Sequence, residues 1–314
     1  MFKILLQHPI HTLEGKELLP AGVNLTEDVA REVIASNSSP RVKSMSLMQF
    51  GTVKKDLSQF FAGPPYCTIF NIHEGGGDIL EESSDVLKIM GQVDLPVPVL
   101  EALAYFREYD FHTYRHMLMI FALSTLMARI LVPDHQNRID HAAAGPSHDL
   151  GKICVPLDIL MKQDPLCREE RNILFQHSLA GYVLLCYYTK DMKSFSAKVA
   201  RDHHERRDGS GYMRGVKLDD PMVEIVAVSD VYDALISPRP YRPVSYDNRT
   251  ALEEMTAMAQ RGQISWEVVQ ALVSLNRKSR TGFGLQDISL EKRGTPPQDN
   301  NYGKTATGPP ECND

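Results

Sequence analysis

The stretch HDLGK, from His148 to Lys152, decides how the rest of this chain is read. It sets a histidine and an aspartate side by side and places a lysine one helical turn later, so that Asp149 and Lys152 share a face. Imidazole and carboxylate together suit iron, manganese, zinc or nickel, and an aspartate beside a histidine can bridge two ions. Working outward, residues of the same chemical type recur at His116, His177, the adjacent pair His203-His204, and Asp230. A lone histidine is more often a surface or satisfied core residue than a ligand. Here they accumulate on separate segments, and two neighbouring histidines on a helix point about 100° apart, which wastes core space unless something binds both.

The surrounding pattern is helical. The apolar run from Met117 to Val132 contains only Arg129 as a charge and reads as a buried helix with His116 at its start. From Pro96 to about Lys278 apolar residues recur at three and four. Asp164-Pro165 and Asp220-Pro221 each put a capping aspartate before a proline suited to a first helical turn. They predict helices carrying His177 and Asp230, and a third helix from about Ser196 delivers His203-His204 near its C-terminal end. Before Leu95 the texture changes to short apolar runs punctuated by Gly, Ser and Pro, which predicts a small N-terminal module, α/β or α. Within it Asn24 reads as an N-cap with Glu27 as capping-box partner, and Gly75-Gly76-Gly77 as a turn. After Arg280 the chain is polar and rich in Gly and Pro, the pattern of a disordered tail. The expected fold class is mainly α, divided as 1–95, 96–280 and 281–314.

Composition narrows the function classes. With 314 residues, 43% of them hydrophobic, the chain can build a sizeable core. A net charge of -6 argues against nucleic-acid polymers as partners. Five scattered cysteines without a CxxC read as free thiols in a reducing compartment, the cytoplasm. The N-terminal apolar run is too short for a signal peptide, and no stretch reaches the roughly 20 apolar residues of a membrane span.

Two further motifs complete the picture. HHERRDGSGYMRG, from His203 to Gly215, joins the histidine pair to a loop whose Gly209, Gly211 and Gly215 let backbone approach a ligand closely. SDVYDALISPRPYRP, from Ser229 to Pro243, follows Asp230 with Arg239 and Arg242 in a proline-braced turn, where guanidinium groups could grip phosphate by bidentate hydrogen bonds. Singly, a glycine-rich turn is common and such arginines are usually surface charges.

Together HDLGK, His177, HHERRDGSGYM, SDVYDAL and RPYR, with TYRH ending at His116, resemble the HD-GYP family of cyclic di-GMP phosphodiesterases over about Asp110 to Trp266. The resemblance implies an all-helical HD-type domain with a buried centre of two divalent ions, iron or manganese. One ion would be held by His116, His148, Asp149 and Asp230, the other by His177, His203 and His204, with Asp149 bridging. It also implies cyclic di-GMP as partner, opened to pGpG and more slowly to GMP, in bacterial second-messenger signalling. Asp149 and Lys152 would be catalytic, and Lys152, Tyr212, Arg239 and Arg242 would hold substrate. Three positions depart from the family pattern. Met213 replaces the proline of GYP, Met119 replaces an arginine after the first ligand histidine, and His112 stands where some members carry a glutamate for a third metal. A third ion would need His112 as its ligand. Competing readings are a hydrolase of another cyclic dinucleotide or nucleotide, and a non-catalytic cyclic di-GMP receptor. His8, His11, His73, His135 and His141 read as structural or solvated. The N-terminal module shows no receiver or familiar sensor pattern; it would brace the helical domain or carry a homodimer or signalling-partner contact.

Overall fold

The computed structural model describes residues 3–38, 42–69, 81–239, 244–276 and 288–297. Among these, strands are confined to the first 96 residues. β1 (Ile4–Leu5), β2 (Ile10–His11), β3 (Glu17–Leu19), β4 (Asn24–Leu25), β5 (Ser44–Ser46) and β6 (Asp94–Pro96) form three antiparallel pairs, β1 with β4, β2 with β3 and β5 with β6. Three helices lie between them: α1 (Glu27–Ala35), α2 (Val53–Ala62) and α3 (Glu81–Met90). Then follow α4 (Val97–Tyr109), α5 (Phe111–Leu131), α6 (His135–Ala144), α7 (Leu157–Leu160), α8 (Arg168–Phe175), α9 (His177–Thr189), α10 (Phe195–Asp202), α11 (Pro221–Ile236), α12 (Asn248–Gln260) and α13 (Trp266–Leu275). The fold is mainly α, as the periodicity predicts.

Local chemistry explains the helix boundaries, including two that differ from the sequence expectation. Thr26, not Asn24, caps α1, its hydroxyl accepting from Val29 N at 3.2 Å; Asn24 is already paired with Leu5 in β4 and cannot leave the strand. Asp220 caps α11 as expected, accepting from Met222 N and Val223 N ahead of Pro221. Asp164 does not cap a helix that reaches His177. That segment breaks in two: Cys167 and Glu170 form a reciprocal capping box on α8, which stops at Phe175, and α9 starts afresh at His177.

α5 is buried along most of its length and packs against α4, α6 and α11, while α9 packs on α10. α9 is nearly all apolar and buried around its whole circumference. Each fully buried Leu, Val or Phe on these helices contributes about 1.5–3 kcal/mol relative to exposure. Between α6 and α7 the chain runs through two short 3-10 turns, Gly145–Ser147 and Leu150–Cys154, with His148 and Asp149 at their junction. The second turn lies flat on the start of α9, an approach only glycine permits at position 151: a Cβ there would fall 1.9 Å from the His177 carbonyl oxygen.

The N-terminal strands and helices share one contiguous apolar core with the long helices, running from Leu6 and Leu25 through Phe121 to Leu275. Polar contacts reinforce it: Gln176 between α8 and α9 accepts from Gln7 N at 2.7 Å and His8 N at 3.2 Å, and donates to His8 O at 2.7 Å. Cys67, Cys154, Cys167 and Cys186 are free thiols. Residues 288–297 of the expected tail lie along α12, where Gly294 N donates to Glu253 at 2.9 Å. Gly75-Gly76-Gly77 and the rest of the tail fall outside the described residues. None of the described helices is long and apolar enough to cross a membrane.

Candidate metal centre

Five elements deliver the seven residues singled out in the sequence to one buried point. His116 comes from the second turn of α5, His148 and Asp149 from the junction of the 3-10 turns, His177 from the first position of α9, His203 and His204 from the residues that follow α10, and Asp230 from the middle of α11. Three sets lie close enough to hold an ion: His116 with His148 and Asp230, His177 with His203 and His204, and His148 with Asp149 and His203.

Asp149 stands between the first two sets. Its Oδ2 lies 3.4 Å from His148 Nε2 and 3.6 Å from His116 Nε2, and its Oδ1 lies 3.2 Å from His177 Nε2 and 4.0 Å from His203 Nε2. Asp230 completes the first set at 3.0 Å from His116 Nε2 and reaches within 3.7 Å of His204 Nδ1.

Four of the imidazoles are aimed by their other nitrogen. Nδ1 of His148 lies 2.6 Å from Gly145 O, that of His177 2.6 Å from Leu174 O, that of His203 3.0 Å from both Val199 O and Ala200 O, and that of His116 2.6 Å from Asp233 Oδ2. Each such acceptor calls for a proton on Nδ1, which leaves the Nε2 lone pair facing the centre, the arrangement that orients and strengthens a metal-binding imidazole. Apart from the two carboxylates, which offer them no proton, the lone pairs have little to meet. His148 Nε2 is buried without a hydrogen-bond partner, and His177 Nε2 faces His203 Nε2 at 3.4 Å and His204 Nε2 at 3.1 Å. Converging lone pairs in a buried site fit a bound cation.

The protonation states agree for three of the imidazoles and both carboxylates; at His148 burial is outweighed by the neighbouring Asp149 carboxylate, which raises it. Burial pushes His116 down to about 3, helped by Arg239, and pushes His203 to about 3, helped by the neighbouring His148 and His177; His204 is likewise held well below its ordinary value by burial and His203. Burial alone would raise Asp149, but Lys152 and His148 outweigh it and hold the carboxyl well below the usual range; His116 does the same for Asp230. Neutral imidazoles and ionised carboxylates are the forms that bind metal.

The remaining predicted site residues are placed differently. Lys152 Nζ pairs with Asp149 Oδ2 at 2.6 Å, at the edge of the centre. Tyr212 is stacked between two rings, 3.8 Å from Phe175 and 4.4 Å from His204. Arg239 lies on the other side of His116, 3.3 Å from its Nδ1 and 3.8 Å from Asp233 Oδ2, so its charge faces a buried carboxylate. His112 is exposed at the start of α5 and joins none of the three sets. Arg242 lies outside the described residues.

Two residues that the sequence reading passed over support the ligands directly. Fully buried Asp233 fixes His116, as above. Fully buried Glu205, next to the His203-His204 pair, accepts from Arg214 N at 2.8 Å and Val216 N at 3.1 Å and so straps the 206–217 loop over the site. Gly211 lies under that strap because a Cβ there would meet the His204 carbonyl at 2.4 Å. A signal for Asp233 was present, since it is a second carboxylate within the otherwise apolar run VAVSDVYDALI. Glu205, in HHERRD, had none, because a carboxylate beside two arginines reads as one more surface charge.

A helical domain closed around a His/Asp centre defines the class. The HD domain family profile matches residues 86–267, and the chain belongs to that family. Among its relatives, a cyclic di-GMP phosphodiesterase of Thermotoga maritima is 36% identical over 190 residues, covering 59% of this chain and 50% of that protein. The cyclic di-GMP phosphodiesterase response regulator RpfG of Xanthomonas campestris is 44% identical over 101 residues, 32% of this chain and 27% of that one. A 3'3'-cGAMP-specific phosphodiesterase 2 of Vibrio cholerae is 35% identical over 122 residues, 38% and 23% of the two chains. The chain thus spans half or less of the length of these relatives.

Proposed function

We propose that this chain is a metal-dependent phosphodiesterase that opens cyclic di-GMP to pGpG and, more slowly, cleaves it onward to GMP. The observation that carries this reading is the placement of Asp149, each of whose oxygens faces a different histidine set. His116, His148 and Asp230 would hold one divalent ion, and His177, His203 and His204 a second, with Asp149 shared between them. Histidine with bridging carboxylate suits iron or manganese. Ions bound there supply Lewis-acid polarisation of the phosphoryl oxygens and activate water for attack on phosphorus.

The protein's own groups do the rest. Attack forms a new P–O bond and breaks the bond from phosphorus to the 3′ oxygen, which needs a proton as it leaves. Lys152, held at the edge of the centre by Asp149, is the group that delivers it and meets the phosphate charge. Tyr212, braced by Phe175 and His204, positions the nucleotide, and Arg242 grips a phosphate; Arg239, which faces Asp233 behind His116, would join it only by turning from that carboxylate. Cyclic dinucleotide substrates and free thiols fit a cytoplasmic setting. The Thermotoga relative named for cyclic di-GMP supports this substrate, and the Vibrio relative named for 3'3'-cGAMP makes a mixed cyclic dinucleotide the second reading.

The test is anaerobic incubation with Fe(II) or Mn(II) and either dinucleotide, with products separated by chromatography. Formation of pGpG by the parent and not by Asp149→Ala supports the proposal. Turnover of 3'3'-cGAMP alone would move the substrate, and absence of product from a metal-loaded chain would favour a receptor.

A further inference from the structure

Asp233, which orients His116, is itself held from the N-terminal part of the chain. Tyr66 lies in a short 3-10 turn, Tyr66–Thr68, that packs on α2 and is fully buried. Its hydroxyl donates to Asp233 Oδ1 and also lies 2.9 Å from Ser237 Oγ. Ser237 Oγ donates to the same Asp233 oxygen at 2.9 Å and accepts from Arg115 Nη1 at 3.0 Å. The Arg115 guanidinium in turn covers the Tyr66 ring, 5.1 Å from its centroid. Asp233 Oδ1 is therefore held by Tyr66 and Ser237, while Oδ2 faces Nδ1 of His116 at 2.6 Å, with Arg239 3.8 Å away. A carboxylate held at one oxygen cannot rotate freely at the other.

We propose that Tyr66 is a positioning residue of the metal centre, acting through Asp233 to aim the His116 Nε2 lone pair. The inference rests on the reading of His116 as a metal ligand. It assigns to the first 95 residues a contribution inside the site. A second contact of the same part of the chain makes that assignment coherent: the backbone of Gln7 and His8 engages both ends of the Gln176 amide, one residue before His177. The N-terminal segment therefore touches the support of one histidine in each of the two sets.

Tyr66→Phe in the full chain keeps the ring, its volume and its packing under Arg115, and removes only the hydroxyl. Metal-free protein is titrated with Mn(II), and Co(II) is added separately to read the ligand-field absorption of the site. The expected result is Mn(II) affinity about tenfold weaker than the parent, the lower end of the effect of losing an outer partner of a metal-binding histidine, with a shifted Co(II) band. Tyr187→Phe is the control: it removes another buried tyrosine hydroxyl at the N-terminal contact, one bonded to Lys16 Nζ at 2.9 Å, away from the centre. It should leave both readings at parental values. A purely structural role for Tyr66 would lower the melting temperature of the metal-free chain and leave Mn(II) affinity and the Co(II) spectrum unchanged, and that outcome overturns the proposal. If Tyr66→Phe does not fold, Ser237→Ala, which removes the other hydroxyl on Asp233 Oδ1, must weaken Mn(II) binding instead; unchanged affinity there also overturns it. A parent chain that takes up no Mn(II) fails at the metal reading itself, which separates the two failures.

Discussion

Asp149 lies within 4.0 Å of four imidazoles and carries the charge that makes their convergence tolerable. Asp149→Asn keeps the shape but removes that charge and turns one acceptor into a donor, which cannot face an Nε2 lone pair and a cation at once. Bound metal should fall in both histidine sets, and turnover should drop by at least the 10–100-fold typical of losing a mere outer partner; metal analysis and steady-state rates read the two effects. Parental metal content in this variant would sink the bridging assignment. At this scale the centre was largely legible, because histidine and aspartate announce their chemistry by type and the motifs keep them in order. What the residue types could not convey is polarity: Nδ1 of His148, His177 and His203 is taken by a carbonyl three or four residues earlier, set by the local turn, and Nδ1 of His116 by Asp233, a contact that exists only once α5 and α11 have packed.

At the scale of elements, the loop after α10 is the part that a motif describes least well. Its glycines read as room for a ligand, yet Gly211 is occupied by the protein's own backbone, passing over His204. The order in the loop comes from Glu205, whose carboxylate holds two of its amides, and burial pushes that carboxyl up, so the bonds from Arg214 and Val216 are needed to offset desolvation. Glu205→Ala should release the strap while leaving the ligand histidines in place. Two hydrogen bonds to a charged group, at about 1.5–3 kcal/mol each, set the scale: KM should rise by about tenfold or more, with metal content near that of the parent and faster proteolytic cleavage within the loop. A variant that loses metal but keeps its KM would mean that Glu205 acts on the histidines and not on the loop. The same logic explains the misread helix before His177. A dipeptide such as Asp164-Pro165 signals a start, but α8 begins instead at the reciprocal capping box of Cys167 and Glu170, which satisfies two backbone amides at once.

For the whole molecule, the described contacts between the N-terminal residues and the helices are long-range in sequence, such as Gln7 with Gln176, and such pairings leave no local trace in composition or periodicity. Global stability offers a test of how the helices are closed over the core. His141 on α6 is fully buried, its Nε2 lies 3.0 Å from Met222 O, and its ring packs on Phe195; Asp220 is the nearby charge. Burial pushes it down from 6.5 to about 4. The folded chain therefore refuses a proton that the unfolded chain accepts between those two values, and stability is lost as pH falls from 6.5 towards 4, then levels off. At about 1.4 kcal/mol for each pH unit between them, the loss approaches ~3 kcal/mol. His141→Gln can still donate to Met222 O and does not titrate, so its unfolding free energy in the metal-free chain should fall less than that of the parent between neutral pH and pH ~4.5. Parallel acid limbs for the two chains would show that His141 takes up its proton in the folded state, and the packing of α6 against the start of α11 would then be looser than the structure has it.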